Sequence, residues 1–230
     1  MTAPGASPAG PQARRAGPVV VLTGPPAAGK TSVGRMLSGR LGTAFVDTDA
    51  EIEAAAGKPV GDIFVDDGET AFRDLEREAA RRALAADGAV VALGSGAVLD
   101  PEIQRSLAGR PVAYLDAGFA AIAKRLGLDR PRVVIPGNPR GRLRGMLEER
   151  RHLYQRLAAI TVPADDLAPE EIADEIEAWL RADGPRPGPQ PAGAQADGAQ
   201  SAGAQPARPR PGAQPDGAQA GGTQRPEQPS

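Results

Sequence analysis

Residues Gly24-Pro25-Pro26-Ala27-Ala28-Gly29-Lys30-Thr31 follow the spacing G-x-x-x-x-G-K-T, with Ser32 next. A loop of this kind turns backbone N–H groups toward a polyphosphate, and the helix behind it adds the partial positive charge of its N-terminus. Lys30 would reach the β- and γ-phosphates of ATP. Thr31 would place its hydroxyl on Mg²⁺, which takes oxygen ligands and keeps several waters. A glycine-rich turn could match by chance, but this one lies between an expected strand and an expected helix, where the chemistry needs it.

Asp47 and Asp49, in Phe45-Val46-Asp47-Thr48-Asp49, end the second expected strand. Strand alternation would point both carboxylates the same way at the carboxyl edge of the sheet, where ligands bind in open α/β folds. Asp47 could hold the metal through water, and Asp49 could accept a hydroxyl proton or fix that hydroxyl for in-line attack. A polar strand end or a helix cap would use the same residue types. Arg73 and Glu76 stand three apart on one helical surface, the spacing of an ordinary ion pair. Gly94-Ser95-Gly96 follows the third strand, and its small residues let backbone N–H groups approach an anion.

These residues need a scaffold of alternating strands and helices. Pro18–Thr23, Thr43–Asp47, Ala89–Leu93, Pro111–Leu115 and Ala159–Pro163 read as five strands separated by helical stretches, which predicts a parallel sheet. Val33, Met36, Leu37 and Leu41 share one helical face, leaving Arg35 and Arg40 in solvent. Phe72, Leu75, Ala79 and Ala83 mark a long helix, and Leu143, Met146, Leu147, Leu153, Tyr154 and Leu157 mark another. Asp165 to Leu180 closes the domain. Three prolines and two glycines make 127–139 too broken for a helix and long for a connection, so it is a candidate flexible lid.

Composition bounds the domain. Residues 1–17 and 184–230 are dominated by Pro, Gly, Ala and Gln, and cannot bury enough surface to offset their ordering entropy. The tail repeats Gly-Ala-Gln at irregular spacing and has no apolar face to stack. One α/β domain over 18–183 remains. The formal charge of −2 with signs interspersed gives no field for nucleic acid or an anionic membrane. With no cysteine, thiolate zinc sites, disulfides and thiol catalysis are excluded, so any metal takes oxygen ligands. Val19–Leu22 is too short to span a bilayer, and a cytoplasmic protein is expected.

In order and spacing, Gly24–Thr31, Asp47-Thr48-Asp49, Gly57-Lys58-Pro59-Val60-Gly61-Asp62-Ile63-Phe64, Asp67-Gly68-Glu69, Phe72-Arg73-x-x-Glu76 and Leu93–Val98 resemble the shikimate kinase family. Arg130-Pro131 and Arg150-x-x-Leu153-Tyr154 complete a resemblance that covers about residues 18–180. It implies a three-layer sandwich of the P-loop, nucleoside-monophosphate-kinase-like type with a five-stranded parallel sheet. It also implies a monomer that transfers the γ-phosphoryl of ATP to the 3-hydroxyl of shikimate with Mg²⁺. Asp49 would bind and serve the reacting hydroxyl, while Arg73 and Arg150 grip the carboxylate with help from Gly94, Ser95 and Gly96. Guanidinium forks suit that task better than lysines. Arg130, on the lid, would neutralise charge developing on the phosphates. Arg125 would lie against the adenine ring, with further contacts near Val162–Asp166, although a solvated helix-end cation is an equal reading of Arg125.

Three departures from the family pattern stand out. Ser95 replaces a central glycine, Ala27 replaces a phosphate-loop glycine, and the lid is about two residues short. If Ser95 required a positive φ it would be strained by roughly 1 kcal/mol. The Gly-Ser-Gly corner keeps another small-molecule kinase, such as one for gluconate, as an alternative. A non-catalytic ATP-binding module acting through the tail is a second. His152 beside Arg150 and Arg151 reads as helix surface, Trp179 as core packing with Ile172 and Ile176, and the arginines of 140–151 as a solvated face.

Overall fold

The structure, a computed structural model, describes residues 17–129 and 138–182. The expected lead up to 16, the stretch 130–137 with Arg130 and most of the expected lid, and the tail from 183 lie outside the described residues.

Five short runs become strands: β1 Val20–Thr23, β2 Phe45–Asp47, β3 Val90–Ala92, β4 Val112–Asp116 and β5 Ile160–Pro163. All neighbours pair in parallel, in the order β2-β3-β1-β4-β5. Eight α-helices connect and cover them among the described residues: α1 Lys30–Leu41, α2 Thr48–Ala56, α3 Val60–Asp66, α4 Gly68–Leu84, α5 Pro101–Leu107, α6 Phe119–Arg125, α7 Pro139–Leu157 and α8 Pro169–Arg181.

Strand alternation divides the core into two layers. Val20 and Leu22 of β1 face Val33 and Leu37 of α1 and Ile172 and Ile176 of α8. Val21 faces the other way, onto Ala80 and Ala83 of α4 and Ile103 and Leu107 of α5. Helices on both sheet faces make the three-layer sandwich. Each fully buried aliphatic side chain here contributes about 1.5–3 kcal/mol. Because β1 lies between β3 and β4, chains leave its neighbourhood in opposite directions and open a crevice above its carboxyl end.

Three local expectations are corrected. The chain becomes helical at Thr48, so Asp49 lies in the first turn of α2 and not on a strand. Helix α8 starts at Pro169, preorganised for a first helical position, and Asp165–Ala168 is loop. Leu75 is 38 % exposed, outside the buried stripe of α4. Arg40 is exposed, as expected, and its Nη1 lies 2.6 Å from Asp174 Oδ1 and 3.5 Å from Glu177 Oε2, tying α1 to α8. Trp179 packs against the α1/α8 core and His152 is exposed, as expected.

Candidate active site

The phosphate loop and the N-terminus of α1 form one wall of a cleft of about 550 Å³ above β1. Residues Pro26 to Val33 line it, together with Asp47, Asp49, Leu93 and Ser95. The structure therefore brings Lys30, Thr31, Asp47 and Asp49 to one cavity.

Loop geometry explains part of this. Gly29 has φ 101° and Ala27 has φ 57°, and Ala27 is the one non-glycine with positive φ among the described residues. A Cβ in that region costs roughly 1–2 kcal/mol. The strain foreseen for Ser95 is absent and falls on Ala27 instead. Lys30 Nζ donates to the Gly24 and Pro25 carbonyls at 3.0 and 2.9 Å. Loss of hydration inside the loop pulls its ammonium down to about 8, against the opposing influence of Asp49, Asp47 and Glu76.

Asp47 does two jobs. As the N-cap of α2, its Oδ1 accepts from the Asp49 and Ala50 N–H groups at 3.1 and 3.4 Å. Its Oδ2 accepts from the Thr31 hydroxyl at 2.7 Å. This hydroxyl–carboxylate pair on the cleft wall is an all-oxygen donor set, and it fits Mg²⁺. Among the described residues no three His, Asp or Glu side chains gather as a metal cage. The pair suits an ion that also binds water and phosphate oxygens.

The next residue, Thr48, is fully buried, and its hydroxyl accepts the Gly94 N–H at 2.8 Å. That bond docks the start of α2 on the turn after β3 and places Asp49 against it. A Cβ on Gly94 would stand 2.7 Å from Asp49 Oδ1 and 2.9 Å from Glu76 Oε1, so only glycine allows this approach. Burial raises the Asp49 carboxyl above its ordinary range, and Lys30 opposes that rise.

Arg73 reaches the turn through Glu76 and Arg150 reaches it directly, although neither is among the residues that line the cleft. Arg73 Nη1 donates to Glu76 Oε2 at 2.7 Å, and Glu76 Oε1 accepts the Gly96 N–H at 3.1 Å. Arg150 Nη1 donates to the Ser95 carbonyl at 3.3 Å, beside the Tyr154 hydroxyl at 2.7 Å. Arg150 Nε is buried without a partner among the described residues. One expectation fails here: the Gly94 and Gly96 N–H groups are consumed by Thr48 and Glu76, so neither faces an anion.

Arg125 is an exposed residue in the last turn of α6, as the helix-end reading expects, and it also makes specific bonds. Its guanidinium donates to Ala164 O at 2.6 Å, Asp165 O at 3.3 Å and Ala27 O at 3.2 Å, stapling the phosphate loop to the segment before α8. The far wall of the cleft is Arg125, Leu167, Pro169 and Ile172, beyond the expected Val162–Asp166. Thr48, Glu76 and Tyr154 are the residues that sequence reasoning left out of the site. Glu76 and Tyr154 carried a signal in the motifs Phe72-Arg73-x-x-Glu76 and Arg150-x-x-Leu153-Tyr154, whereas Thr48 had only its place between two aspartates.

Comparison with known proteins agrees with this geometry. The family model described as shikimate kinase matches residues 26–181. A shikimate kinase of Thermobifida fusca is 54 % identical over 167 residues, covering 73 % of this chain and 97 % of that protein. One of Salinispora arenicola is 46 % identical, covering 72 % of this chain and 99 % of that protein. Among solved structures, the Acinetobacter baumannii shikimate kinase in complex with shikimate matches with TM-score 0.66 and 31 % identity, over 74 % of this chain and 95 % of that one. With its parallel sheet, phosphate loop and cleft in agreement, the chain belongs to the shikimate kinase family and is an ATP-dependent kinase.

Proposed function

We propose that this chain transfers the γ-phosphoryl group of ATP to the 3-hydroxyl of shikimate, giving shikimate 3-phosphate and ADP. The observation that supports the reading is that Lys30 and Asp49 line one cleft with Ser95, whose carbonyl Arg150 holds and beside which Glu76, paired with Arg73, holds the Gly96 N–H. A cationic phosphate loop shares the cleft with a carboxylate suited to an alcohol, and the two guanidinium groups would turn to a small anionic acceptor.

Gly24 to Ser32 would wrap the phosphates, with Lys30 turning from the Gly24 and Pro25 carbonyls to the β- and γ-phosphate oxygens. Thr31 and Asp47 would hold Mg²⁺, which when bound screens phosphate charge. Asp49 would hydrogen-bond the acceptor hydroxyl and take its proton as the oxygen attacks the γ-phosphorus and the bond to the β-phosphate oxygen breaks. Burial raises its carboxyl above the ordinary range, which makes the carboxylate a better proton acceptor. Arg73 and Arg150 would clamp the acceptor's carboxylate. Arg125 would flank the adenine, and Arg130 would close over the phosphates. Catalysis then consists of positioning and charge neutralisation, with no covalent intermediate.

The domain over 18–183 would act as a monomer in the cytoplasm. Among the described residues no helix is long and apolar enough to cross a membrane. The test is coupled ADP release with Mg-ATP, with and without shikimate, for the full chain and for one ending at Asp183. Shikimate-dependent turnover in both is expected. Turnover with gluconate in place of shikimate would overturn the acceptor assignment.

A further inference from the structure

One guanidinium, that of Arg125, joins a fixed piece of backbone to a strained one. Its Nη2 donates to Ala164 O at 2.6 Å and Asp165 O at 3.3 Å, and its Nη1 donates to Ala27 O at 3.2 Å. The Ala164 end is the fixed one. Ala164 is 0 % exposed, its N–H donates to Asp116 O at 2.9 Å, and Asp165 Oδ1 accepts the Gly118 N–H at 2.5 Å. At the other end Ala27 has φ 57°, a backbone conformation that a residue with a Cβ leaves unless its surroundings keep it there.

What Arg125 holds at Ala27 is one side of a peptide unit. The carbonyl of Ala27 and the N–H of Ala28 lie in one plane and point in opposite directions. The Ala28 N–H donates to Pro25 O at 3.3 Å, and the same oxygen receives Lys30 Nζ at 2.9 Å. The N–H end of this peptide is therefore on the lysine's side, and the carbonyl end is on the side of Arg125. If Ala27 relaxed to a negative φ the peptide would swing, and a carbonyl oxygen in place of that N–H would repel a phosphate.

We propose that Arg125 is a positioning residue of the phosphate loop: by tying Ala27 O to the Ala164–Asp165 backbone, it keeps the strained 27–28 peptide with its N–H toward the polyphosphate. The inference rests on reading Gly24–Ser32 as the phosphate seat, and it is separate from any contact between Arg125 and adenine. All three bonds leave from the edge of the guanidinium, so its flat face stays open to a ring. A lysine would keep the charge, but as a single point it cannot bridge carbonyls on two segments in this way.

The experiment is equilibrium titration of the full chain with Mg-ADP and with Mg-tripolyphosphate, which has phosphates and no ring. Neither titration needs an acceptor. Arg125→Lys retains the positive charge and loses the planar fork, so a weaker complex would not be a simple loss of attraction. This variant should raise Kd for tripolyphosphate about five-fold, and Kd for ADP at least as much. Ala27→Gly allows a positive φ without strain, so adding Arg125→Lys to it should raise Kd for tripolyphosphate by less than about two-fold. Tripolyphosphate Kd within about two-fold of wild type in the Arg125→Lys single variant would confine Arg125 to the ring and overturn the proposal. A loss as large in the Ala27→Gly background as in the wild type would show that the bond does not act through the strained peptide, and would overturn it as well. A wild-type chain that does not bind tripolyphosphate would overturn the reading of Gly24–Ser32 as the phosphate seat, and this inference with it.

Discussion

Glu76 Oε2 meets Arg73 Nη1 at 2.7 Å, three residues away on α4, while the other Glu76 oxygen holds the Gly96 N–H at 3.1 Å. One buried carboxylate thereby ties a guanidinium to the turn that carries Ser95. Glu76 is 4 % exposed, so losing its charge leaves Arg73 with only the longer pair to exposed Glu69, at 3.3 Å, and weakens the hold on a buried amide.

Glu76→Gln should therefore cost about 1–3 kcal/mol, because one face of the amide becomes a donor pointed at a donor. In a domain of this size that lowers Tm by on the order of 5 °C. KM for shikimate should rise more than KM for ATP, since Arg73 loses the shorter of its two ion pairs. Thermal unfolding and two-substrate kinetics check this, and a variant with wild-type Tm and wild-type KM for shikimate would refute it.

Ala27 holds φ 57° with its side chain packed against the α1/α8 core. Ala27→Gly removes backbone strain of roughly 1–2 kcal/mol but loses about 0.8 kcal/mol of methyl burial and about 0.5–1 kcal/mol to unfolded-chain entropy. Those terms nearly cancel. Ala27→Val has no such compensation, because a β-branched residue is a genuine outlier at positive φ. Urea unfolding should place the glycine variant within about 0.5 kcal/mol of wild type and the valine variant at least 1 kcal/mol below it. Equal stability of wild type and Ala27→Val would show that the loop relaxes.

The scaffold was legible because β1 and β3 are short apolar runs with glycine or proline close by, and the long helices α1, α4 and α8 each bury an apolar face. Local competition blurred the detail. At Thr48 the capping carboxylate of Asp47 starts a helix where period-two reasoning continued a strand. At Pro169 a first-position proline delays α8 past the expected Asp165, which moves the far cleft wall to Leu167, Pro169 and Ile172. The polar wiring was illegible for a different reason. Gly96 bonds a carboxylate 20 positions earlier in the chain, and Ser95 bonds a phenol 59 positions later. The charge-bearing residues could be picked out, but not which of them spend their bonds on the turn.

Asp100 caps α5, accepting from the Glu102 and Ile103 N–H groups at 2.7 and 3.2 Å, and its other oxygen receives Arg77 Nε at 2.6 Å. Burial pushes its carboxyl upward, but the Arg77 bond and the two amides outweigh this and hold it below the ordinary carboxylate range. A carboxyl lowered on folding stabilises the protein above its unfolded pKa, about 3.9, and loses that contribution as pH falls through the folded value. Asp100→Asn should thus be less stable than wild type at neutral pH, with the gap closing below about pH 4. Urea titrations at pH 7 and pH 3 test this; a gap that widens toward acid would contradict it.

Asp49 and Thr48 are adjacent but should fail in different ways. The Asp49 carboxylate lines the cleft, and the buried Thr48 hydroxyl holds the Gly94 N–H at 2.8 Å. Asp49→Asn removes the proton acceptor with little change in shape, so kcat should fall by about 10²–10⁴-fold while ATP affinity is kept. Thr48→Val removes no charge. It leaves the Gly94 amide buried and unpaired, which costs about 1–3 kcal/mol and loosens the seat of Asp49. Its signature should be a lowered Tm with a milder loss of kcat. Single-turnover measurements beside nucleotide titration separate the two variants. If Thr48→Val lost as much turnover as Asp49→Asn at unchanged Tm, the hydroxyl would belong to the reaction itself and not to its support.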